Sequence, residues 1–229
     1  DGNGRWAQQR GEPREAGHRA GTKAVRNVVT RARELGIPYL TLYAFSAQNW
    51  QRPKTEIDEL MILLTEFCQK ERNLLMDKEI RFRVIGERSK LPLEARLAVK
   101  ALETITAQNN GMQLLIALSY GGREELVDVM RLLAVEVKEG RLRPEDIDAR
   151  EVERKLWTAG IPDPDVVIRT SGELRVSNFL LWQIAYAEFV VDQRFWPDFD
   201  KQAFDEALSI YAARNRRFGG LDEDSEPEA

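Results

Sequence analysis

Short, almost wholly apolar runs alternate along this chain with longer amphipathic segments, and no other feature constrains the fold as much. Tyr39 to Phe45, Ile80 to Ile85 and Met112 to Ser119 read as strands, with others at Val166 to Arg169 and Glu188 to Val191. Helical spacing runs from Ala16 to Leu35, where Gly36 gives a stop signal. It returns over Glu56 to Lys78, Pro92 to Gln108 and Arg123 to Lys138, and Trp196 to Asp200 leads into a last helix through Ala213. Glu139 to Glu153 reads as a charged helical connection with a solvated face. Strands without a polar side need cover on both faces, which alternating helices supply. The expected class is α/β: a single open, doubly wound, mainly parallel sheet flanked by helices.

One domain is expected over residues 1–221, followed by an acidic, disordered tail at residues 222–229. A loop at a sheet edge needs a strand to place it, so a short apolar strand is expected upstream of Asp1. Of the 229 residues 43% are hydrophobic and 31% charged, which excludes disordered and fibrous classes. A net charge of -4 argues against nucleic acid as a partner, since a sequence-independent binder needs a broad positive field. The longest candidate for a membrane span, Phe179 to Val191, is broken by Gln183 and Glu188. One cysteine, Cys68, and one histidine, His18, exclude an intrachain disulfide and a Cys/His zinc cluster, and point to a reducing cytoplasm. Cys68 stands at helical spacing from Leu60, Leu64 and Phe67, the pattern of a buried apolar residue.

Ligands of such sheets bind beyond the carboxyl ends of the strands, and polar residues gather at those ends here. Asp1-Gly-Asn-Gly-Arg-Trp-Ala7 combines glycines with the donors Asn3 and Arg5. Ser46 to Pro53, Ser119 to Glu124 and Arg169 to Ser177 each set Arg or Asn beside Gly or Ser. Any one of these reads equally as a tight turn. Together, Arg5, Arg14, Arg52, Arg169 and Arg175 suggest one ligand site with more than one phosphate-type group. Asp1 and Glu188 are candidates to bridge it through Mg²⁺, the alternative for Glu188 being a salt bridge to a neighbouring arginine. His18 lies one turn into the first long helix, four residues after Arg14, where an anion is favoured.

Two nucleotide-like patterns fail. Gly2-x-Gly4-x-x-Ala7 lacks the acidic residue at the end of the next strand that a dinucleotide ribose needs, and Gly17 to Lys23 lacks P-loop spacing. The Glu56 to Lys78 helix carries more apolar residues than one core-facing stripe requires. It is either deeply buried or lines a hydrophobic channel with Leu42, Ala44, Val84 and Met112, fit for a ligand with a charged head and an apolar tail.

In this order the motifs resemble the cis-prenyltransferase family, in particular bacterial undecaprenyl diphosphate synthases. The matching segments are Asp1 to Ala7, Gly17-His18-x-x-Gly21, Thr41 to Ser46 with Asn49-Trp50-x-Arg52-Pro53, Tyr120 to Arg123, Val167 to Thr170 with Gly172-Glu173, Ser177 to Trp182, and Arg217-Phe-Gly219. The resemblance implies Mg²⁺-dependent condensation of isopentenyl diphosphate onto an allylic diphosphate such as farnesyl diphosphate, repeated to a medium-length product of undecaprenyl type for a cell-wall lipid carrier. It assigns Gly2, Asn3, Gly4, Arg5, Trp6, Arg14 and His18 to the allylic diphosphate, and Arg169, Arg175 and Ser177 to isopentenyl diphosphate. Asp1 and Asn49 are the implied catalytic residues, and Asp1 and Glu188 the metal contacts. Ser46, Asn49, Trp50, Arg52 and Glu56 match a mobile loop that closes over the substrates. Arg217 matches a motif that reaches the neighbouring site in a homodimer, and a peripheral membrane contact is expected for product release. Ser171 stands where a second glycine is common before Gly172, a change of little expected effect because both residues are small. The alternatives are a non-catalytic prenyltransferase partner subunit, which would lack the loop aspartate and the arginines, and a phosphoryl-transfer enzyme on the same fold.

Overall fold

Parallel ladders form where the apolar runs lie. In the computed structural model, which describes residues 1–214, β1 (Tyr39–Ser46), β2 (Ile80–Ile85) and β3 (Met112–Tyr120) pair in the order β1-β3-β2. A second parallel pair joins β4 (Val166–Arg169) to β5 (Glu188–Val191). Among the described residues no ladder joins β1 to β4, so the hydrogen-bonded strands fall into two groups where the sequence suggests one sheet.

Eight helices connect and cover the described strands: α1 (Asn3–Gln9), α2 (Arg14–Glu34), α3 (Lys54–Lys70), α4 (Arg72–Asp77), α5 (Leu93–Ile105), α6 (Gly122–Lys138), α7 (Ala149–Lys155) and α8 (Lys201–Ala212). The central strand β3 shows why cover is needed on both faces. Its Leu114, Ile116 and Leu118 enter a core with residues of α2, α3, α5 and α8, while Leu115 and Ala117 enter another with Tyr120, Leu180 and Ile184. Alternate residues of one strand thus feed opposite layers, as a doubly wound fold requires.

Three local expectations change. The 56–78 segment is two helices, because Glu71 ends α3 and α4 restarts at Arg72. Residues 3–9 form a helix in place of a loop, entered through Gly2 in a left-handed conformation (φ 95°). The charged connection resolves into a turn and α7, whose N-terminus is capped by the Asp148 side chain accepting from the Glu151 amide at 2.9 Å. Val84 and Met112, expected on a channel wall, are each 2% exposed and packed within the main core. Cys68 is buried as expected, and burial pushes its thiol up to about 12.

Candidate active site

Asp1 is pinned to the carboxyl end of β4. The main-chain oxygen of Asp1 accepts from the Trp196 amide at 2.9 Å and from Thr170 Oγ1 at 3.2 Å. From there α1 crosses α2, and Asn3 Nδ2 comes 3.5 Å from His18 Nδ1. On the other ring nitrogen, His18 Nε2 lies 3.3 Å from Glu56 Oε1, so the network assigns the Nε2–H tautomer. Burial lowers the His18 pKa, opposed by the hydrogen bond to Glu56.

Arg169, the last residue of β4, organises the opposite wall. Its Nε donates to Asp1 Oδ2 at 2.8 Å and its Nη2 to Ser177 Oγ at 3.1 Å. Burial, then the neighbouring Arg175 charge, lowers its pKa, so positive groups are crowded here as an anion site requires. The segment after β4 holds Ser171, Ser177, Asn178 and Leu180 at positive φ, conformations that persist only when their surroundings enforce them. Asn178 supplies part of that enforcement: its main-chain oxygen accepts from the Gly122 amide at 2.7 Å and its Oδ1 from the Arg123 amide at 2.9 Å. The Tyr120-Gly-Gly-Arg123 motif is therefore a clamp on the Arg169 to Ser177 loop.

Between β1 and α3 the polar loop is a short 3₁₀ turn closed by a reciprocal cap of Ser46 and Asn49, in which Asn49 Oδ1 accepts from the Ser46 amide at 3.0 Å. Trp50 Nε1 donates to Ser119 Oγ at 2.8 Å and its ring packs edge-on to Phe45, which anchors the loop to the core. Glu56 Oε1 gathers Arg52 at 3.0 Å, His18 at 3.3 Å and Arg14 at 3.6 Å.

These parts meet at a cavity of about 1460 Å³. Asp1, Gly2, Asn3, Gly4, Arg5, Arg14 and His18 line it on one side, Ser46, Asn49 and Arg52 on another, and Arg169, Arg175 and Ser177 on a third. Its apolar part is walled by β1 residues with Leu60, Leu63, Leu64 and Phe67 of α3 and Val25 and Val28 of α2. Consecutive residues of both β1 and β4 line it, so it runs along their open edges and not over one pleat face.

Several expected residues stand elsewhere. Trp6 is turned to Asp198, donating at 2.7 Å, with the Arg10 guanidinium 4.0 Å from its ring centroid. Trp50 and Glu56 act behind the wall through the contacts above. Glu188 does not join Asp1: it pairs with Val166 at the start of β4, three residues before Arg169, roughly 10 Å away along a strand. Its Oε2 accepts from Arg214 Nη1 at 2.8 Å, the salt-bridge alternative. Arg217 and the 222–229 tail lie outside the described residues. Three contributors escaped notice in the sequence, namely Thr170, Asn178 and Glu173, although all sit inside or beside quoted motifs.

A family model described as "Putative undecaprenyl diphosphate synthase" matches residues 1–219. The chain belongs to this prenyltransferase family. An isoprenyl transferase of Rhizobium meliloti (strain 1021) is 52% identical over 221 residues, covering 96% of this chain and 90% of the relative. One of Bacillus subtilis (strain 168) is 48% identical, covering 96% and 85%. Among solved structures, lavandulyl diphosphate synthase from Lavandula x intermedia, in complex with dimethylallyl diphosphate, is 38% identical with a TM-score of 0.94, covering 96% of this chain and 94% of that one. A probable undecaprenyl diphosphate synthase from Campylobacter jejuni is 30% identical with a TM-score of 0.77, covering 87% and 92%. The chain is thus a cis-prenyltransferase of the undecaprenyl diphosphate synthase type.

The donor set of this prenyltransferase suits a Mg²⁺ ion held mainly by substrate. Asp1 offers a half-exposed carboxylate with Arg169 on one oxygen, and Asn3 Oδ1 is buried without a hydrogen-bond partner. Among the described residues no group of three or more His, Cys, Asp or Glu could form a closed cage. One or two oxygen ligands plus phosphates is the usual Mg²⁺ arrangement. No helix among the described residues is long and apolar enough to cross a membrane.

Proposed function

We propose that this enzyme condenses isopentenyl diphosphate onto an allylic diphosphate, with farnesyl diphosphate as primer, and repeats the step to a medium-length cis-polyprenyl diphosphate of undecaprenyl type, a cell-wall lipid carrier precursor. The observation that carries the reading is the meeting of two arginine clusters at one apolar cavity. Asn3, Arg5, Arg14 and His18 form the cradle for the allylic diphosphate, and Arg169, Arg175 and Ser177 that for isopentenyl diphosphate. A relative that binds dimethylallyl diphosphate supports an allylic ligand.

In the reaction the allylic carbon–oxygen bond breaks and diphosphate departs with the electron pair. The donors of the first cradle, fixed by α1 and α2 before the reaction, stabilise the charge that develops there. The second cradle holds isopentenyl diphosphate so that its terminal alkene carbon meets the allylic carbon, which makes the reaction effectively unimolecular. A carbon–carbon bond forms, and the proton lost from isopentenyl diphosphate passes to a phosphate oxygen. Asn49 and Arg52 close over the pair from the loop. Mg²⁺ held by Asp1 and substrate phosphates would supply positive charge to the leaving group. The growing chain occupies the apolar cavity between β1, α2 and α3.

The same resemblance extends the proposal to a cytoplasmic homodimer, with Arg217 serving the neighbouring site and a peripheral membrane contact for release. The test is incubation with radiolabelled isopentenyl diphosphate, farnesyl diphosphate and Mg²⁺, followed by chromatography of products and assay of released diphosphate. Elongated products and diphosphate release that depends on isopentenyl diphosphate are expected. Release without it would make the protein a phosphoryl-transfer enzyme, and no turnover would favour the partner-subunit alternative.

A further inference from the structure

We propose that Glu173 is an internal counterion shared by the two diphosphate cradles, which each bound diphosphate has to displace and which returns when diphosphate leaves. The inference rests on the assignment above of Arg5 to the allylic cradle and Arg175 to the isopentenyl cradle. Glu173 Oε1 lies 2.8 Å from Arg5 Nη2, and its Oε2 accepts from Arg175 Nη1. One carboxylate thus holds a cation from each side of the site.

The geometry is that of a substitute anion. The Glu173 side chain is 17% exposed while those of Arg5 and Arg175 are 47% and 61% exposed, so the carboxylate lies beneath two guanidinium groups that solvent and ligand can reach. The hydrogen bond from Arg175 holds the Glu173 carboxyl below the usual carboxylate range, so it is charged at neutral pH. Its backbone is anchored, with the Ser171 amide donating to the Arg194 oxygen and the Gly172 amide to the Asp192 oxygen, both at 2.8 Å. Release therefore needs only rotation of the side chain. Asp1 and Glu56 do not span the site in this way: Asp1 holds Arg169, and Glu56 holds Arg14, His18 and Arg52 on the allylic and loop side.

One consequence follows from the charge of Glu173 alone. With it, a diphosphate left in the allylic cradle after each condensation meets a competitor for Arg5 and departs faster, which suits an enzyme that must clear that cradle before the next step. Glu173 is in this sense a positioning residue that tunes binding against release.

Calorimetry with inorganic pyrophosphate tests this on the whole chain. Glu173→Gln removes the charge and keeps the shape, and is expected to bind pyrophosphate about tenfold tighter, the scale of one charge-assisted hydrogen bond. In turnover its KM for both substrates should fall together with kcat, because release slows. Glu173→Asp keeps the charge and should stay within about threefold of the unaltered protein, on the same scale. Should Glu173→Gln lose stability, Glu173→Ser gives the same neutral readout. Equal or weaker pyrophosphate binding by a folded neutral variant overturns the proposal, as does tightening in Glu173→Asp equal to that in Glu173→Gln. Failure of the cradle assignment looks different: pyrophosphate binding would be absent, or indifferent to Arg5→Ala and Arg175→Ala.

Discussion

A Cβ on Gly17 would lie 1.9 Å from the main-chain oxygen of Asn3. No side chain fits that gap, so α1 rests backbone against backbone on α2, and this contact carries Asn3 to His18. Gly17→Ala is expected to lift α1, costing roughly 1 to 3 kcal/mol of stability as overpacking does. Pyrophosphate affinity should fall as well, because Asn3 and Arg5 move with α1. Unfolding curves and calorimetry on the same variant check both, and unchanged affinity would detach α1 from the allylic cradle.

Asp1 and Arg169 cannot be treated as independent. Asp1→Ala alone is expected to lower turnover by orders of magnitude, and Arg169→Ala to raise the KM for isopentenyl diphosphate. Since Arg169 holds Asp1 Oδ2 at 2.8 Å, either change also releases the other group. The double variant should therefore depart from additivity by about 0.5 to 3 kcal/mol in a kinetic double-mutant cycle. Strict additivity would mean that the contact plays no part in the reaction.

Ser171 matters through its backbone, not its size. It adopts φ 73°, where a Cβ is penalised, and its Oγ is buried without a hydrogen-bond partner. Ser171→Gly is expected to stabilise the protein by about 1 kcal/mol, read as a higher melting temperature. The sequence comparison of two small residues missed this, because it weighed side-chain size and not the left-handed backbone that a glycine at that position serves.

Much of the site was legible because its parts are local. The Asp1 to Arg5, Ser46 to Arg52 and Arg169 to Ser177 segments each carry their chemistry within a few residues of a strand end, and strand order brings them together. What sequence could not give was relative height along strands. Glu188 and Arg169 both look like strand-terminal polar residues, yet one starts β5 and the other ends β4, and parallel pairing puts them at opposite ends. The α/β class with parallel strands flanked by helices was legible too, but the division of the described strands into two hydrogen-bonded groups was not, because apolar runs predict strands and not their neighbours. Among the described residues, β1 and β4 keep open edges along the cavity.

His18 gives the site a pH signature. Burial lowers its pKa from the ordinary 6.5, so below pH 6.5 the unfolded chain takes up the proton before the folded one. This contribution to stability is complete above 6.5 and is lost as pH falls through the lower folded value. Chemical unfolding at pH 7.5 and 5.5 should show a larger loss for the unaltered protein than for His18→Gln. Equal losses would mean that the folded histidine titrates normally.

Product length should respond to Ala44. Leu42 and Ala44 would share a face on a regular strand, but the register with β3 slips between Tyr43 and Phe45, and Phe45 follows Leu42 into the main core. Ala44 is left at the irregularity, exposed and lining the cavity. Leucine there would project into open space near the diphosphate end and not against a packed helix, so the overpacking cost of roughly 1 to 3 kcal/mol is not expected. Instead, a growing apolar chain would meet three added carbons that it cannot displace. Ala44→Leu should therefore melt near the unaltered protein and make shorter products, compared by reversed-phase chromatography. A folded variant with an unchanged product distribution would place the growing chain away from β1, whereas a large fall in melting temperature would show that Ala44 is packed after all.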